Sequence, residues 1–131
     1  MNKVVLDTNV LVSALLSNGP PAAIIDLAAE GKLTPFYNDL IISEYCDVLQ
    51  RPKFGFHYTQ VSRLINNIIR AGIATEANIS SLIHISDEDD RIFFDTAKNS
   101  GAILITGNVK HFPLESFIVS PSQFLKLYRS S

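Results

Sequence analysis

The chain has 131 residues, 47% hydrophobic and 18% charged, with a formal net charge of −2. That size suits one domain, residues 1–131, whose core forms without disulfides. The composition excludes a disordered tail, and a net charge of −2 excludes a strongly basic nucleic-acid binder. A single cysteine, Cys46, excludes a disulfide scaffold and a cysteine-based zinc site, and suits a reducing, cytoplasmic setting. No apolar run reaches the ~18 residues of a membrane helix. Asp7 interrupts the apolar run at the N-terminus, so no secretion signal is expected there.

In chain order, Val4-Val5-Leu6 reads as a buried strand ending at Asp7, and Val10 to Leu16 as a helix. Ser17 to Pro21 breaks the chain, and Pro21 suits the first turn of a helix that runs from Ala22 to Glu30 and stops at Gly31. Leu33 to Tyr37 is a second strand, weakened by Pro35, and Asn38 or Asp39 caps a helix reaching Gln50. Tyr58 to Ala71 carries Val61, Leu64, Ile65, Ile68 and Ile69 at helical spacing. Leu82 to Ile85 reads as a third strand, and Ser86 or Asp87 as the cap of a helix reaching Asn99. Ala102 to Ile105 is a continuous apolar strand of the kind buried on both faces. Phe117 to Val119 reads as a fifth strand, and Pro121 opens a last helix through Tyr128. Strands alternating with helices give an α/β fold around a mainly parallel sheet.

Ligands in such sheets gather outside the carboxyl ends of the strands. Asp7-Thr8-Asn9, Ser86 to Asp90 and Thr106-Gly107-Asn108 all fall at that edge, and Glu44 lies one turn into the helix after the second strand. The group is rich in carboxylates and carboxamides, with no nucleophile–base pair and no histidine cluster. Carboxylates brought together repel, and a cation relieves the repulsion. Oxygen-only ligands favour Mg²⁺ or Mn²⁺. Such ions lower the pKa of a bound water and neutralise phosphoryl charge, singly or as a pair, which is the chemistry of phosphodiester hydrolysis. Each acid also has a plainer role. Asp7 suits a helix cap, and Asp87, Glu88 and Asp89 suit the positive end of a helix dipole. Asp90 lies deepest of that run, and Asp95 falls about 140° round the helix from it.

These residues resemble the PIN-domain family of metal-dependent ribonucleases. The resemblance extends over nearly the whole chain and is nearest to the toxin components of toxin–antitoxin pairs related to the VapC toxins. It rests on Val4-Val5-Leu6-Asp7-Thr8-Asn9-Val10, and on Ser43-Glu44-Tyr45 followed by Val48 to Phe54. Asp89 to Ala97, in which Asp90 pairs with an alanine seven residues on, and Leu104 to Asn108 with His111-Phe112-Pro113 complete it. The resemblance implies a three-layer α/β/α sandwich. It implies Asp7, Glu44 and Asp90 as ligands of one or two Mg²⁺ or Mn²⁺ ions, Asn108 where the family has Asp or Asn, and Thr106 as a supporting hydrogen-bonding residue. Thr8 and Asn9 stand behind the ligands, and Asp87 or Asp95 is placed to compensate for the neutral Asn108.

The implied substrate is RNA. Arg51, Lys53, Arg91, Lys98, Lys110 and His111 are the candidate backbone contacts, with Phe54 and its aromatic neighbours as candidate stacking groups. A cognate antitoxin and a homodimer, with the helix 58–71 as its surface, are the implied protein partners. The competing reading is a regulatory domain with a weakened site that binds protein or RNA. A phosphoacceptor receiver needs an acidic pair after the first strand and a lysine after the last, and a haloacid-dehalogenase phosphatase needs two aspartates two residues apart. Asp7-Thr8-Asn9 meets neither requirement.

Overall fold

The computed structural model describes residues 2–77 and 88–130. Five strands form one sheet: β1 (Lys3–Leu6), β2 (Thr34–Tyr37), β3 (Ile73–Ala74), β4 (Ile103–Ile105) and β5 (Ile118–Val119). Their order is β3-β2-β1-β4-β5, and every pairing is parallel. The helices are α1 (Thr8–Leu16), α2 (Pro20–Ala29), α3 (Asp39–Leu49), α4 (Tyr58–Ala71), α5 (Glu88–Ser100) and α6 (Pro121–Ser130). The architecture is the expected α/β/α sandwich. α2 packs against α1, α4 and α6, whereas α5 lies along β1, β2 and β4. Among the described residues no single helix is long and apolar enough to cross a membrane.

The central strands are apolar without alternation because both faces of the sheet are covered. Val4, Val5, Leu6, Leu104 and Ile105 are all fully buried. Pro35 sits in β2, opposite Val4. It is tolerated there because β3 pairs only with Phe36 and Tyr37, leaving that side of Pro35 without a strand. Gly72 makes the approach possible: a Cβ at this position would collide with the Pro35 and Ile68 carbonyl oxygens.

Most predicted elements appear within a residue or two. The expected third strand, Leu82 to Ile85, lies outside the described residues, as do the caps Ser86 and Asp87. The strand beside β2 is instead Ile73–Ala74, directly after α4. The apolar stripe of α4 belongs to the core: Val61, Leu64, Ile65 and Ile68 are buried, so they are not a free dimer surface. Of the large apolar side chains on α4, Tyr58 and Ile69 remain exposed.

The topology fixes where a ligand belongs. From β1 the chain proceeds toward β2 and β3, while from β4 it proceeds toward β5 on the other side. The crevice between the carboxyl ends of β1 and β4 is therefore a topological switch point, where open α/β sheets bind ligands.

Candidate active site

Two segments meet at that crevice. Asp7 follows β1, and Thr106-Gly107-Asn108 follows β4. The Asp7 N–H donates to the Ile105 carbonyl at 3.0 Å, extending the β1–β4 pairing to the site itself. The Asp7 carboxylate is buried, only 5% exposed. The Thr106 hydroxyl donates to its Oδ2 at 2.7 Å, and the Asn9 amide donates to the same oxygen at 3.3 Å.

Thr106 is itself held. Its Oγ1 accepts from the Asn108 N–H at 3.0 Å and lies 3.4 Å from the Asn9 amide nitrogen. Asn9 Oδ1 accepts from the Gly107 N–H at 2.9 Å. Asn9, on the first turn of α1, thus ties that turn to the loop after β4. A Cβ on Gly107 would stand 3.4 Å from Asn9 Oδ1, in ordinary van der Waals contact, so it is the Gly107 N–H rather than the missing side chain that Asn9 uses.

Asp7 occupies the N-cap position of α1, yet its side chain makes no capping hydrogen bond. Capping is therefore not what the carboxylate serves. Burial pushes its pKa above the ordinary carboxylate range. The Thr106 hydroxyl, the Thr8 and Asn9 N–H groups and the charge of His111 pull the other way without overcoming it. A carboxylate so placed gains from a neighbouring cation.

The acids on α3 and α5 are positioned by buried contacts. Asn38 caps α3, accepting from the Ile41 N–H at 3.0 Å, and its amide donates to Thr96 Oγ1 of α5 at 2.8 Å. Tyr45, next to Glu44, donates its hydroxyl to the Leu6 carbonyl and stacks on Phe93 of α5, with centroids 6.1 Å apart. Burial first, and then the Asp7 charge, raise the Tyr45 phenol above its usual range, so it remains a donor. These contacts fix the helix of Glu44 and the helix of Asp90 to each other and to the end of β1. Neither Asn38 nor Tyr45 stood out as a site residue in the sequence. The available signal was a polar side chain at the head, or within the apolar stripe, of a buried helix.

Glu44 and Asp90 are half-buried, whereas Glu88 and Asp89 are exposed, so Asp90 is the least exposed of the described acids in its run. Asp95 is 2% exposed, a carboxylate within the fold rather than on a solvated face. Asn108 is exposed at the rim. Asp87 lies outside the described residues. Asp7, Thr106, Asn9 and Asn108 are thus joined by direct hydrogen bonds, and Glu44 and Asp90 are carried on two helices clamped together. Among the described residues, no three Asp, Glu, His or Cys side chains already form a group able to hold an ion.

The donor chemistry nonetheless fits a hard cation. Asp7, Glu44, Asp90 and Asn108 offer oxygen only. Thr8 Oγ1, adjacent to Asp7, is buried with no hydrogen-bond partner among the described residues. A hydrated cation supplies such an oxygen with a donor.

The basic candidates differ in their engagement. Arg51 pairs with Asp47 at 3.1 Å and Arg91 with Glu88 at 3.0 Å, both within single turns. Lys53 and Lys98 lie over the rings of Phe54 and Phe94, at 5.1 and 5.9 Å from the centroids. Lys110 and His111 sit on a 3-10 turn, Val109–His111, directly after Asn108.

Comparison with known proteins shows the family of the chain. The family described as PIN domain matches residues 3–110, a span that includes Asp7, Glu44, Asp90 and Asn108. An uncharacterized protein of Methanocaldococcus jannaschii is 33% identical over 109 residues, covering 81% of this chain and 70% of that protein.

Proposed function

Because the chain belongs to the PIN domain family, whose members are usually nucleases, we propose that it is a metal-dependent endoribonuclease. In this reading it hydrolyses RNA phosphodiester bonds with Mg²⁺ or Mn²⁺ and acts as the toxin of a toxin–antitoxin pair. The observation that carries the nuclease reading is the Asp7–Thr106 hydrogen bond, 2.7 Å, at the switch point of the sheet. It holds a buried carboxylate, disfavoured as an anion by its surroundings, at the carboxyl end of β1, to which Tyr45 and the Asn38–Thr96 contact tie the helices that carry Glu44 and Asp90.

Asp7 and Asp90 are the principal ligands, with Glu44 and Asn108 completing the shell or reaching a second ion. When bound, the cation supplies an activated water and neutralises charge on the phosphoryl oxygens. The protein's own work is positioning. Thr106 and Asn9 hold one oxygen of Asp7, leaving the other free to turn to the ion. Asn38, Thr96, Tyr45 and Phe93 keep α3 and α5 together, so that Glu44 and Asp90 approach from fixed helices. Like charges hold the carboxylates apart until a cation neutralises them. Asp95 and Thr8 support the shell from behind.

The toxin role, the antitoxin and a homodimer are supported by the resemblance of the four motifs. A site whose proposed ligands are three carboxylates suits a basic group, such as an arginine, from an inhibitory partner. A cytoplasmic location is supported by the single free cysteine.

One observation favours a second reading. Asn108 places a neutral amide where a fourth carboxylate would strengthen ion binding, as a regulatory RNA- or protein-binding domain with a weakened site would. Cleavage of single-stranded RNA by the purified protein with Mn²⁺, with EDTA, and by Asp7→Asn separates the two. The nuclease reading expects cleavage that EDTA and the substitution both abolish. An inactive wild type, or activity that survives Asp7→Asn, overturns it.

A further inference from the structure

Beside Asp7 lies a second feature that the metal ligands do not use. Residues 107–111, with Ser120 and Gln123 at the start of α6, line an open surface cavity of about 470 Å³. That volume falls within the roughly 300–1,000 Å³ of small-ligand sites and admits one nucleotide unit. Its wall is shared with the metal site, because Asn108 lines both.

The backbone of this wall is fixed before any ligand arrives. The His111 N–H donates to the Asn108 carbonyl at 2.9 Å, and the Phe112 N–H to Val109 at 3.1 Å. Phe112 is buried and anchors the far end of the turn. Gly107 and Asn108 are pinned at the near end by Asn9 and Thr106. Lys110 and His111 are exposed on this rigid turn, and among the described residues neither is joined to an acid by an ion pair. His111 stands close enough to Asp7 for its charge to act on that carboxylate. Across the cavity, Ser120 and Gln123 cap α6 reciprocally: Gln123 Oε1 accepts from the Ser120 N–H at 2.9 Å, and Ser120 Oγ from the Gln123 N–H at 3.1 Å. This fixes the Gln123 side chain by its oxygen and leaves its amide N–H groups as donors.

We propose that this cavity is a nucleotide subsite, in which Lys110 and His111 hold the phosphate next to the scissile one and Gln123 donates to the sugar or base between them. The assignment rests on the nuclease reading for the word scissile, but the binding it describes does not require cleavage. The Lys110 ammonium and the His111 ring N–H on a rigid turn offer donors to an anion that reaches past the carboxylates, and a polynucleotide backbone supplies one at each unit. Arg51 and Arg91 are less suited, since each already faces an acid.

The test is binding of a fluorescent single-stranded RNA hexamer in EDTA, followed by anisotropy at several salt concentrations. Lys110→Gln with His111→Gln is expected to weaken binding tenfold or more. It should also flatten the slope of log affinity against log salt by about 0.7, the contribution of one phosphate contact on a single strand. Gln123→Ala should weaken binding severalfold with the slope unchanged. Lys32→Gln serves as the control, because Lys32 lies beyond the other end of the sheet beside Glu30, 3.6 Å away. An unchanged affinity and slope in the double variant overturns the subsite. If the wild type binds RNA through Lys110 and His111 but never cleaves it with Mn²⁺, the subsite stands and the nuclease reading falls. If the wild type cleaves and the double variant is indistinguishable from it, the subsite alone falls. A wild type that binds no RNA removes both.

Discussion

Replacing Asp7 by Asn should stabilise the metal-free protein. The carboxylate is 5% exposed, and burial is the largest influence on its pKa, which is raised. The ionised form therefore costs folding free energy at neutral pH, about 1.4 kcal/mol for each unit of the shift. Asn preserves the volume and can keep an acceptor oxygen toward Thr106 and Asn9, which donate at 2.7 and 3.3 Å. The variant should therefore melt higher in EDTA, by roughly 3–5 °C for each kcal/mol gained in a chain of this length. The pH dependence has a definite sign. A carboxyl group with a raised folded-state pKa contributes most stability below its unfolded value, and that contribution is lost as pH rises through the folded value. The advantage of Asp7→Asn should therefore be larger at pH 7 than at pH 4, where the wild type takes up its proton more readily than the unfolded chain. Calorimetry in EDTA at both pH values measures it. Excess Mn²⁺ should then reverse the order at pH 7, because saturation at 100 times Kd adds about 2.7 kcal/mol to the wild type alone. A variant that is destabilised in EDTA by equal amounts at pH 7 and pH 4 would refute the buried-charge reasoning.

Thr106→Val keeps the shape and removes the hydroxyl shared by Asp7 and Asn108; RNA cleavage should fall 10- to 100-fold while Thr106→Ser restores most of it, as kinetics would show. Tyr45→Phe leaves the buried Leu6 carbonyl without its donor and should cost about 1–2 kcal/mol in a denaturant melt. Asn108→Asp adds a charge to the ligand set and should tighten Mn²⁺ binding about tenfold by calorimetric titration, whereas unchanged affinity would remove Asn108 from the shell.

The elements legible in the sequence are those written in local pattern. Val4-Val5-Leu6 and Ile103-Leu104-Ile105 are continuous apolar runs because both faces of the sheet are covered, and polar groups follow them because the strands end at the crevice. The stripe on α4 fixed its period, although not whether core or partner covered it. β3 was illegible for a physical reason: Ile73–Ala74 is two exposed residues, made a strand by pairing with Phe36 and Tyr37 rather than by its own composition. The helix clamp was hidden for a related reason. Asn38 meets Thr96 and Tyr45 meets Leu6 across separations of 58 and 39 residues, which no local spacing encodes. The ion pairs that occupy Arg51 and Arg91 are the converse case. Their partners stand four and three residues away on the same helical turns, where the spacing alone favours pairing.

The most direct test of a single metal centre at the β1–β4 crevice is Mn²⁺ affinity, read by electron paramagnetic resonance, for the wild type, Asp7→Asn, Glu44→Gln and Asp90→Asn. One shared site requires that each substitution weaken binding, Asp7→Asn and Asp90→Asn by tenfold or more. Wild-type affinity in Asp90→Asn, with its fold intact by circular dichroism, would contradict a site built from both segments.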